Sequence, residues 1–300
     1  MLLHCHFANT WVWGNDAPDL RIPPQVAVPI CALPDALGRP PIAHYASITL
    51  GNWQLVNANA PLSVDNARTK IQFFGGVDED WFFIALMGVE LAGAPLLPIA
   101  ATAVTVSREG TDAELAALLA RFGAGMEAMH TALHRIREWS DPHTYYLRVR
   151  PFISGWPAPG VVYEGVSETP RRYLGGSAAQ SSLIQLFDAL LGLAHPDSPS
   201  GAYLRAVREY MPLLHRAFVT DTERDSRVRQ RAVDGTAALR ASYNAALAQI
   251  IRFRDAHMQL AHDFIVAPSG APTEAKGTGG TSLEAFLIGA RSTTSAAQLT

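Results

Sequence analysis

The sequence is poor in charge, in cysteine and in uninterrupted hydrophobic runs, and each shortage excludes a class of protein. Only 17% of the 300 residues are charged, the 24 basic and 27 acidic side chains give a formal charge of −3, and no segment gathers Lys or Arg into a long run. Because nucleic-acid binding needs a basic surface, we expect no nucleic-acid partner.

The two cysteines, Cys5 and Cys31, are too few for a disulfide framework and are not spaced as a metal-binding pair. This usage is typical of a reducing compartment. The first residues also lack the basic segment that precedes the apolar part of a signal peptide. We therefore expect a cytoplasmic protein.

The most apolar region, residues 82–106, is interrupted by Glu90, Pro95 and Pro98. A membrane-spanning helix needs about 20 cleaner apolar residues. We therefore expect no membrane partner and interpret this region as a core helix. With 48% hydrophobic residues, the chain has enough apolar material for one large buried core.

Proline divides the chain into two parts. Residues 1–41 contain several prolines, each of which tends to stop a helix, so we expect mostly loop or extended structure there. From Asp78 onward, apolar residues recur at the three- and four-residue spacing of helices. The predicted fold class is all-α, with one large helical domain and a small, mostly irregular N-terminal segment.

Helix starts are marked by capping residues. Asp78 or Asp80 can cap the following helix, and Thr111 with Glu114 forms a capping box ahead of a helix that runs to about Trp139. The other predicted elements are a helix over 183–193 behind the capping box Ser177–Gln180, a helix behind the box Thr281–Glu284, a long helix over 236–265, and short strands over 160–163 and 103–106.

The long predicted helix carries His257 on its apolar face, next to Phe253 and Arg254. A histidine in this setting can be a core residue with satisfied hydrogen bonds, but a neutral imidazole on a rigid helix is also a suitable axial ligand for haem iron. His130 and His134 are spaced four apart without the glutamate of the zinc-peptidase signature, so we expect a surface or packing role.

Three further segments each allow two interpretations. Ser177 could be a nucleophile on a strand-to-helix turn, but no strand precedes it, which favours a capped helix N-terminus that attracts polar ligand groups. Arg150 could bind a substrate carboxylate through two parallel hydrogen bonds or form a structural ion pair. The glycine-rich loop Glu274–Thr281 fits neither phosphate-binding pattern and could be a lid or an ordinary surface loop.

One ordered set of motifs runs along nearly the whole chain. The most specific are Gly-Gly-Ser-Ala-x-Gln-Ser-Ser from Gly175 and Lys-Gly-Thr-Gly-Gly-Thr from Lys276. The others are, in order, Gly51–Trp53, Phe82–Phe83 with Glu90, Arg150–Trp156, Val162–Gly165, Tyr210–Pro212 with His215–Arg216, His257 and Arg291–Thr294. This set resembles the indoleamine 2,3-dioxygenase family, haem enzymes that open the pyrrole ring of tryptophan.

The resemblance implies haem b as cofactor, O2 as co-substrate and a small indole as substrate, with the chemistry at the haem iron and no side chain acting as acid or base. It implies that His257 is the proximal iron ligand and that Arg254, Gly176 and Ser177 contact the haem. Arg150 would pair with the substrate carboxylate. The other implied members of the substrate site are Tyr45, Phe82, Leu86, Tyr145, Ser177, Ala178 and Thr278.

The chain departs from the family pattern in the pocket and at its start. Tyr145 stands where the animal enzymes carry phenylalanine, and Leu86 occupies the position of a small serine, which can shift the substrate preference. The chain begins well inside the usual family sequence. Residues 1–41 are therefore expected to be the remnant of a truncated N-terminal domain, and residues 42–300 the haem-binding catalytic domain.

The reaction implied by the resemblance is cleavage of the indole C2–C3 bond of L-tryptophan, or of a related indole, to an N-formylkynurenine in the kynurenine pathway of tryptophan catabolism. Two alternatives stay open. One is a monooxygenase or rearranging enzyme of secondary metabolism, and the other is a non-catalytic haem or indole sensor. Both a monomer and a homodimer are compatible with the sequence.

Overall fold

The computed structural model describes residues 1–195, 198–270, 277–278 and 283–300, without the side chains of residues 283–285. Helices dominate the described residues, which confirms the predicted fold class. The α-helices are α1 Leu2–Trp13, α2 Pro24–Cys31, α3 Pro34–Leu37, α4 Val77–Gly93, α5 Leu96–Glu109, α6 Asp112–His134, α7 Pro142–Thr144, α8 Ser182–Leu190, α9 Pro199–Val207, α10 Leu213–Asp225, α11 Val228–Asp234, α12 Ala237–Ala261, α13 Ala267–Ser269 and α14 Leu283–Ser295.

The strands of the described residues are short and form two small sheets. β4 lies between β1, to which it is parallel, and β5, to which it is antiparallel, while β2 and β3 form an antiparallel pair. The predicted strand over 160–163 is confirmed as β4, but the one over 103–106 was wrong, because these residues lie inside α5. The strands are β1 Arg21–Ile22, β2 Gln54–Leu55, β3 Ala67–Arg68, β4 Val161–Tyr163 and β5 Ser167–Arg171.

The central helices α6 and α12 begin where their caps predict. The hydroxyl of Thr111 accepts from the amide of Glu114, and the Glu114 carboxylate accepts from the amide of Thr111, so the capping box is confirmed. Thr236 caps α12 by accepting from the amide of Leu239. α12 packs along α6 and α14, and α6 packs on α4. Phe122 of α6 and Phe187 of α8 form a T-shaped pair of rings.

The expectation of loop or extended structure up to residue 41 was wrong, because α1, α2 and α3 fill much of this segment. Pro24 and Pro34 occupy the first helical position, where a missing backbone N–H costs no hydrogen bond. Cys5, Ala8 and Val12 of α1 are fully buried in the main core. The boundary at residue 41 stays a prediction.

The predicted core helix over 82–106 is in fact two helices. The break lies at Pro95, whose ring cannot continue α4, and α5 begins at the next residue. The predicted caps of α4 were also wrong: the helix follows Gly76, and Asp80 instead accepts hydrogen bonds from Thr69. Together the two helices are long and apolar enough to cross a membrane, but half of their most apolar stretch is buried, as in the core of a soluble protein.

The capping box Ser177–Gln180 opens a 3-10 turn, Ala178–Gln180, and α8 then runs from Ser182 to Leu190 instead of over 183–193. Of the glycine loop Glu274–Thr281, only residues 277–278 are described. The box Thr281–Glu284 lies outside the described residues. The helix predicted behind it corresponds to α14.

Candidate functional site

Two adjoining cavities lie between α4, α12, α14 and the segment around Ser177. Counted with the open space at their mouths, their volumes are about 940 and about 880 Å³. The residues that line both cavities are Tyr45, Leu86, Ala178, Ala179, His257, Phe286 and Leu287.

His257 is the group in both cavity walls with a lone pair suited to a metal. Its ring is half-buried and makes no hydrogen bond or ion pair with any described residue. Burial lowers the pKa of His257 to about 4, and the positive charge of Arg254 acts in the same direction. The imidazole is therefore neutral at physiological pH, as a metal ligand must be.

The donor set fits a haem better than a bare metal ion. Nowhere in the described part of the chain do three or more His, Cys, Asp or Glu side chains come together as a metal site. A single imidazole cannot hold a bare ion, whereas haem iron already has its porphyrin nitrogens and takes one axial ligand from a histidine. The residues present therefore fit a haem with His257 as the axial ligand.

Three π-helical segments build the wall of the first cavity. They are Ala46–Leu50, Tyr145–Val149 and His262–Val266, and they are the π-helical segments of the described residues. Such turns occur frequently at functional sites. The side chains they contribute to the wall are Ile48, Thr49, Tyr145, Phe264 and Ile265.

The first cavity has an aromatic wall. The ring centroids of Phe82 and Tyr145 lie 4.2 Å apart. The rings of Tyr145 and Phe264 are in edge-on contact, with their centroids 5.8 Å apart. Leu86 and Ile153 add aliphatic surface to the same wall. Flat apolar walls of this kind suit a planar aromatic ligand, because rings favour offset and edge-to-face contacts.

The structure brings most of the predicted site residues together. Arg254 lines the second cavity, whereas Arg150 lies outside the described lining of both. The Arg150 guanidinium lies over the ring of Tyr146 at 5.3 Å, at the start of the turn that leads to Ile153. The predicted residues that line the first cavity are Tyr45, Phe82, Leu86, Tyr145, Gly176, Ser177, Ala178, His257 and Thr278.

The turn containing Ser177 is held as a capped N-terminus, which confirms that interpretation. The Ser177 hydroxyl accepts from the amide of Ala179 at 3.3 Å, and Gln180 donates to the carbonyl of Gly175 at 2.9 Å. Thr278 donates its hydroxyl proton to the carbonyl of Gly176 at 2.6 Å. Residues 277–278 thus close one side of the cavity over this turn.

A buried carboxyl group, Glu90, holds Tyr45 in the wall. Glu90 accepts hydrogen bonds from the hydroxyl of Tyr45 at 2.9 Å and from that of Ser181 at 2.6 Å. Burial raises the pKa of Glu90, and these two hydrogen bonds oppose the rise. The hydroxyl of Tyr45 is therefore engaged with Glu90 and not with the cavity.

Sequence reasoning missed the partner of Arg254, which is Asp188 in α8. The Arg254 guanidinium donates to both oxygens of this carboxylate, at 2.8 and 2.7 Å. The pair is buried next to the second cavity. A signal was present, because Asp188 is the one charged residue in the largely apolar helix α8, and buried charges need a partner.

A helical fold with a neutral imidazole in an aromatic cavity fits the class of haem proteins. The family profile described as indoleamine 2,3-dioxygenase matches residues 1–297. Indoleamine 2,3-dioxygenase 1 of Rattus norvegicus is 32% identical over 98% of this chain and 78% of its own length. Indoleamine 2,3-dioxygenase acdA of Aspergillus candidus is 34% identical, over 96% and 77%, and a protein named myoglobin from Haliotis madaka is 30% identical, over 96% and 77%.

The chain belongs to the indoleamine 2,3-dioxygenase family, as its motifs predicted. It is accordingly a haem-dependent oxidoreductase with O2 as co-substrate. The apolar helices α4 and α5 are core helices of this soluble fold.

Proposed function

We propose that this chain cleaves the C2–C3 bond of the indole ring of L-tryptophan, or of a related indole, and inserts both atoms of O2 to form an N-formylkynurenine. The observation that carries the proposal is the neutral, unpaired imidazole of His257 in the aromatic cavity of a chain that matches the family over residues 1–297. The aromatic wall accounts for an indole as substrate.

In this reaction the protein would hold the haem, orient the indole and exclude water. When bound, the haem iron supplies the electronic chemistry of O2 activation. His257 of α12 would hold the cofactor, together with Gly176 and Ser177. Phe82, Leu86, Tyr145 and Ala178 enclose the indole and keep bulk water out of the cavity.

Two further residues are proposed to position the substrate. Arg150 pairs with its carboxylate, because a guanidinium matches a carboxylate with two parallel hydrogen bonds. Thr278 lies in the cavity wall and is proposed to contact the substrate. Replacing Arg150 by lysine tests the first role, since it should raise KM for tryptophan more than it lowers kcat.

The activity is tested with haem-loaded protein reduced by dithionite without oxygen, then mixed with L-tryptophan and 18O2. Mass spectrometry should find a product that contains two labelled oxygen atoms. A product with one labelled atom contradicts dioxygenation and supports a monooxygenase or rearranging enzyme, which the bulky Leu86 favours. Unchanged turnover in Ser177→Ala would dismiss a hydrolase with Ser177 as its nucleophile.

A second candidate function is reversible binding of a ligand without turnover. The 30% identity to a protein named myoglobin favours it, since that is not the name of an enzyme. Tight binding of tryptophan by the reduced protein, with no product after many minutes in air, selects this alternative.

The setting of the reaction is also part of the proposal. We propose a cytoplasmic enzyme that acts in the kynurenine pathway, as a monomer or a homodimer, on a free small-molecule indole. The two cysteines, one of them buried and both without a disulfide, support a reducing compartment.

A further inference from the structure

Two hydroxyl groups in the wall of the first cavity make no hydrogen bond within the described part of the chain. They belong to Thr49 and Tyr145, whose exposed fractions are 1% and 4%. The Thr49 hydroxyl oxygen is itself fully buried. Native proteins keep few buried hydroxyl groups without a partner, because leaving one unpaired destabilises the fold. Two hydroxyl groups without a described partner in one cavity wall, one of them fully buried, indicate that a ligand supplies their partners.

The remaining hydroxyl groups of this wall are already engaged. Tyr45 donates to Glu90 and Thr278 donates to Gly176. Ser177 accepts from the amide of Ala179 and pairs with the hydroxyl of Tyr203. With His257 as the iron ligand, Thr49 and Tyr145 are the polar side chains of the described wall that are left for a substrate.

The position and protonation of Tyr145 suit a hydrogen-bond donor. Its ring is fixed between Phe82 and Phe264, so its hydroxyl has little freedom to turn elsewhere. Burial raises the pKa of Tyr145 to about 12 despite the nearby charge of Arg150, and the hydroxyl therefore keeps its proton at physiological pH. Thr49 can both donate and accept, because a hydroxyl rotates to suit its partner.

We infer that Thr49 and Tyr145 are specificity-determining residues that hydrogen-bond a polar ring substituent, so that the cavity prefers a ring-hydroxylated indole to an unsubstituted one. The inference rests on the proposed function. The single N–H of an unsubstituted indole ring can satisfy only one of the two hydroxyls, whereas a ring hydroxyl both donates and accepts and can therefore engage both. A site built to bond a hydroxyl rejects the analogue that lacks it, because its own polar groups are then left unpaired.

Calorimetric titration of the haem-loaded ferric protein with matched ligands tests the inference. At each position of the benzene ring, hydroxy-L-tryptophan is compared with the methyl-L-tryptophan of the same shape. We expect the hydroxyl compound to bind about tenfold more tightly than its methyl partner at one ring position. Equal affinities at every position would overturn the inference.

Variants then assign the preference to the two hydroxyl groups. Tyr145→Phe and Thr49→Val should each bring the ratio of the two dissociation constants close to one, and Thr49→Ser should keep it. The matched control is Tyr146→Phe, since Tyr146 lies under Arg150 and not in the described cavity wall. A ratio that survives both Tyr145→Phe and Thr49→Val contradicts the assignment.

The binding ratio is separate from turnover, so the two proposals fail in different ways. A hydroxyl preference without any doubly labelled product leaves this inference standing and overturns the proposed dioxygenation. Doubly labelled product with no hydroxyl preference does the reverse. The haem content and the unfolding midpoint of each variant show whether a lost preference reflects a damaged fold.

Discussion

The guanidinium of Arg254 donates two hydrogen bonds to the carboxylate of Asp188, at 2.8 and 2.7 Å, three residues before His257 in α12. Arg254 also donates to the carbonyl of Ala290 in α14 at 3.0 Å. Burial would raise the pKa of Asp188, but Arg254 and His195 outweigh it and hold this pKa below its usual range. The pair therefore ties α8 and α14 to the helical turn that presents the imidazole.

Replacing Asp188 by asparagine should destabilise the protein and weaken haem retention. The substitution keeps the shape but leaves the Arg254 charge buried without its counter-ion, which typically costs about 3 to 5 kcal/mol. Urea denaturation of the haem-free protein measures the free energy of unfolding, and absorbance after desalting measures the retained haem.

The control for Asp188→Asn is Glu127→Gln. Glu127 pairs at the surface with Arg252, which lies in α12 like Arg254. Exposed pairs contribute about 0 to 1 kcal/mol, so this variant should unfold almost like the wild type. Equal losses in the two variants would contradict a special role for the buried pair.

Replacing His257 by alanine should abolish stable haem binding. The change removes the single imidazole in the described cavity walls but leaves the aromatic side chains in place. We expect the Soret band to be lost after desalting, and free imidazole to restore part of it. His262→Ala is the control, since this side chain is 61% exposed on the next turn. Full haem content in His257→Ala would remove the basis of the site.

The parts of the fold that the sequence predicted depend on local contacts. The capping box of Thr111 and Glu114 spans four residues, and the apolar stripe of α12 repeats every turn, so both can be read from neighbouring residues. Proline gave a wrong prediction in the N-terminal segment because its effect depends on position. At Pro24 and Pro34 it begins a helix, and packing of α1 into the core decides the rest.

Sequence motifs marked part of the candidate site, but they gave no signal where distant residues meet. His257 and the aromatic positions follow from the family resemblance. The engagement of Tyr45 with Glu90 joins residues 45 apart, and that of Arg254 with Asp188 joins residues 66 apart. The π-helical turn that brings Thr49 into the wall has no sequence signal of its own.

Leu86→Ala should widen the range of indoles that bind. Leu86 lines both cavities, so its side chain stands where they adjoin. One extra methylene in an apolar pocket changes discrimination by about 10- to 200-fold. We expect the affinity for tryptophans with bulky ring substituents to rise relative to that for tryptophan, by calorimetry. Leu91→Ala is the control, because Leu91 is on the same helix but packs outside the described cavity walls. The same change in Leu91→Ala would contradict the assignment.

Stability should fall as the pH drops from about 6.5 to about 4, in part because of His44. This side chain is fully buried and pairs through Nδ1 with the carbonyl of Ile42 at 2.7 Å. Burial lowers the pKa of His44 from 6.5 to about 4, the bond to Ile42 opposes this, and the charge of Arg39 adds to it. Between these values the unfolded chain binds a proton and the folded one does not.

The folded state therefore loses stability toward low pH, by about 3 kcal/mol in all, because lowering the pKa from 6.5 to about 4 costs about 1.4 kcal/mol for each pH unit between the two values. Above pH 6.5 both states are neutral at this position and the effect is absent. His44→Asn keeps a donor near the Nδ1 position but cannot titrate. Its free energy of unfolding, measured against pH on the haem-free protein, should fall less steeply between pH 6.5 and 4 than that of the wild type. His143 is exposed, so His143→Asn should leave the slope unchanged. Parallel curves for the wild type and His44→Asn would contradict the assignment, because the slope would then belong to other buried groups.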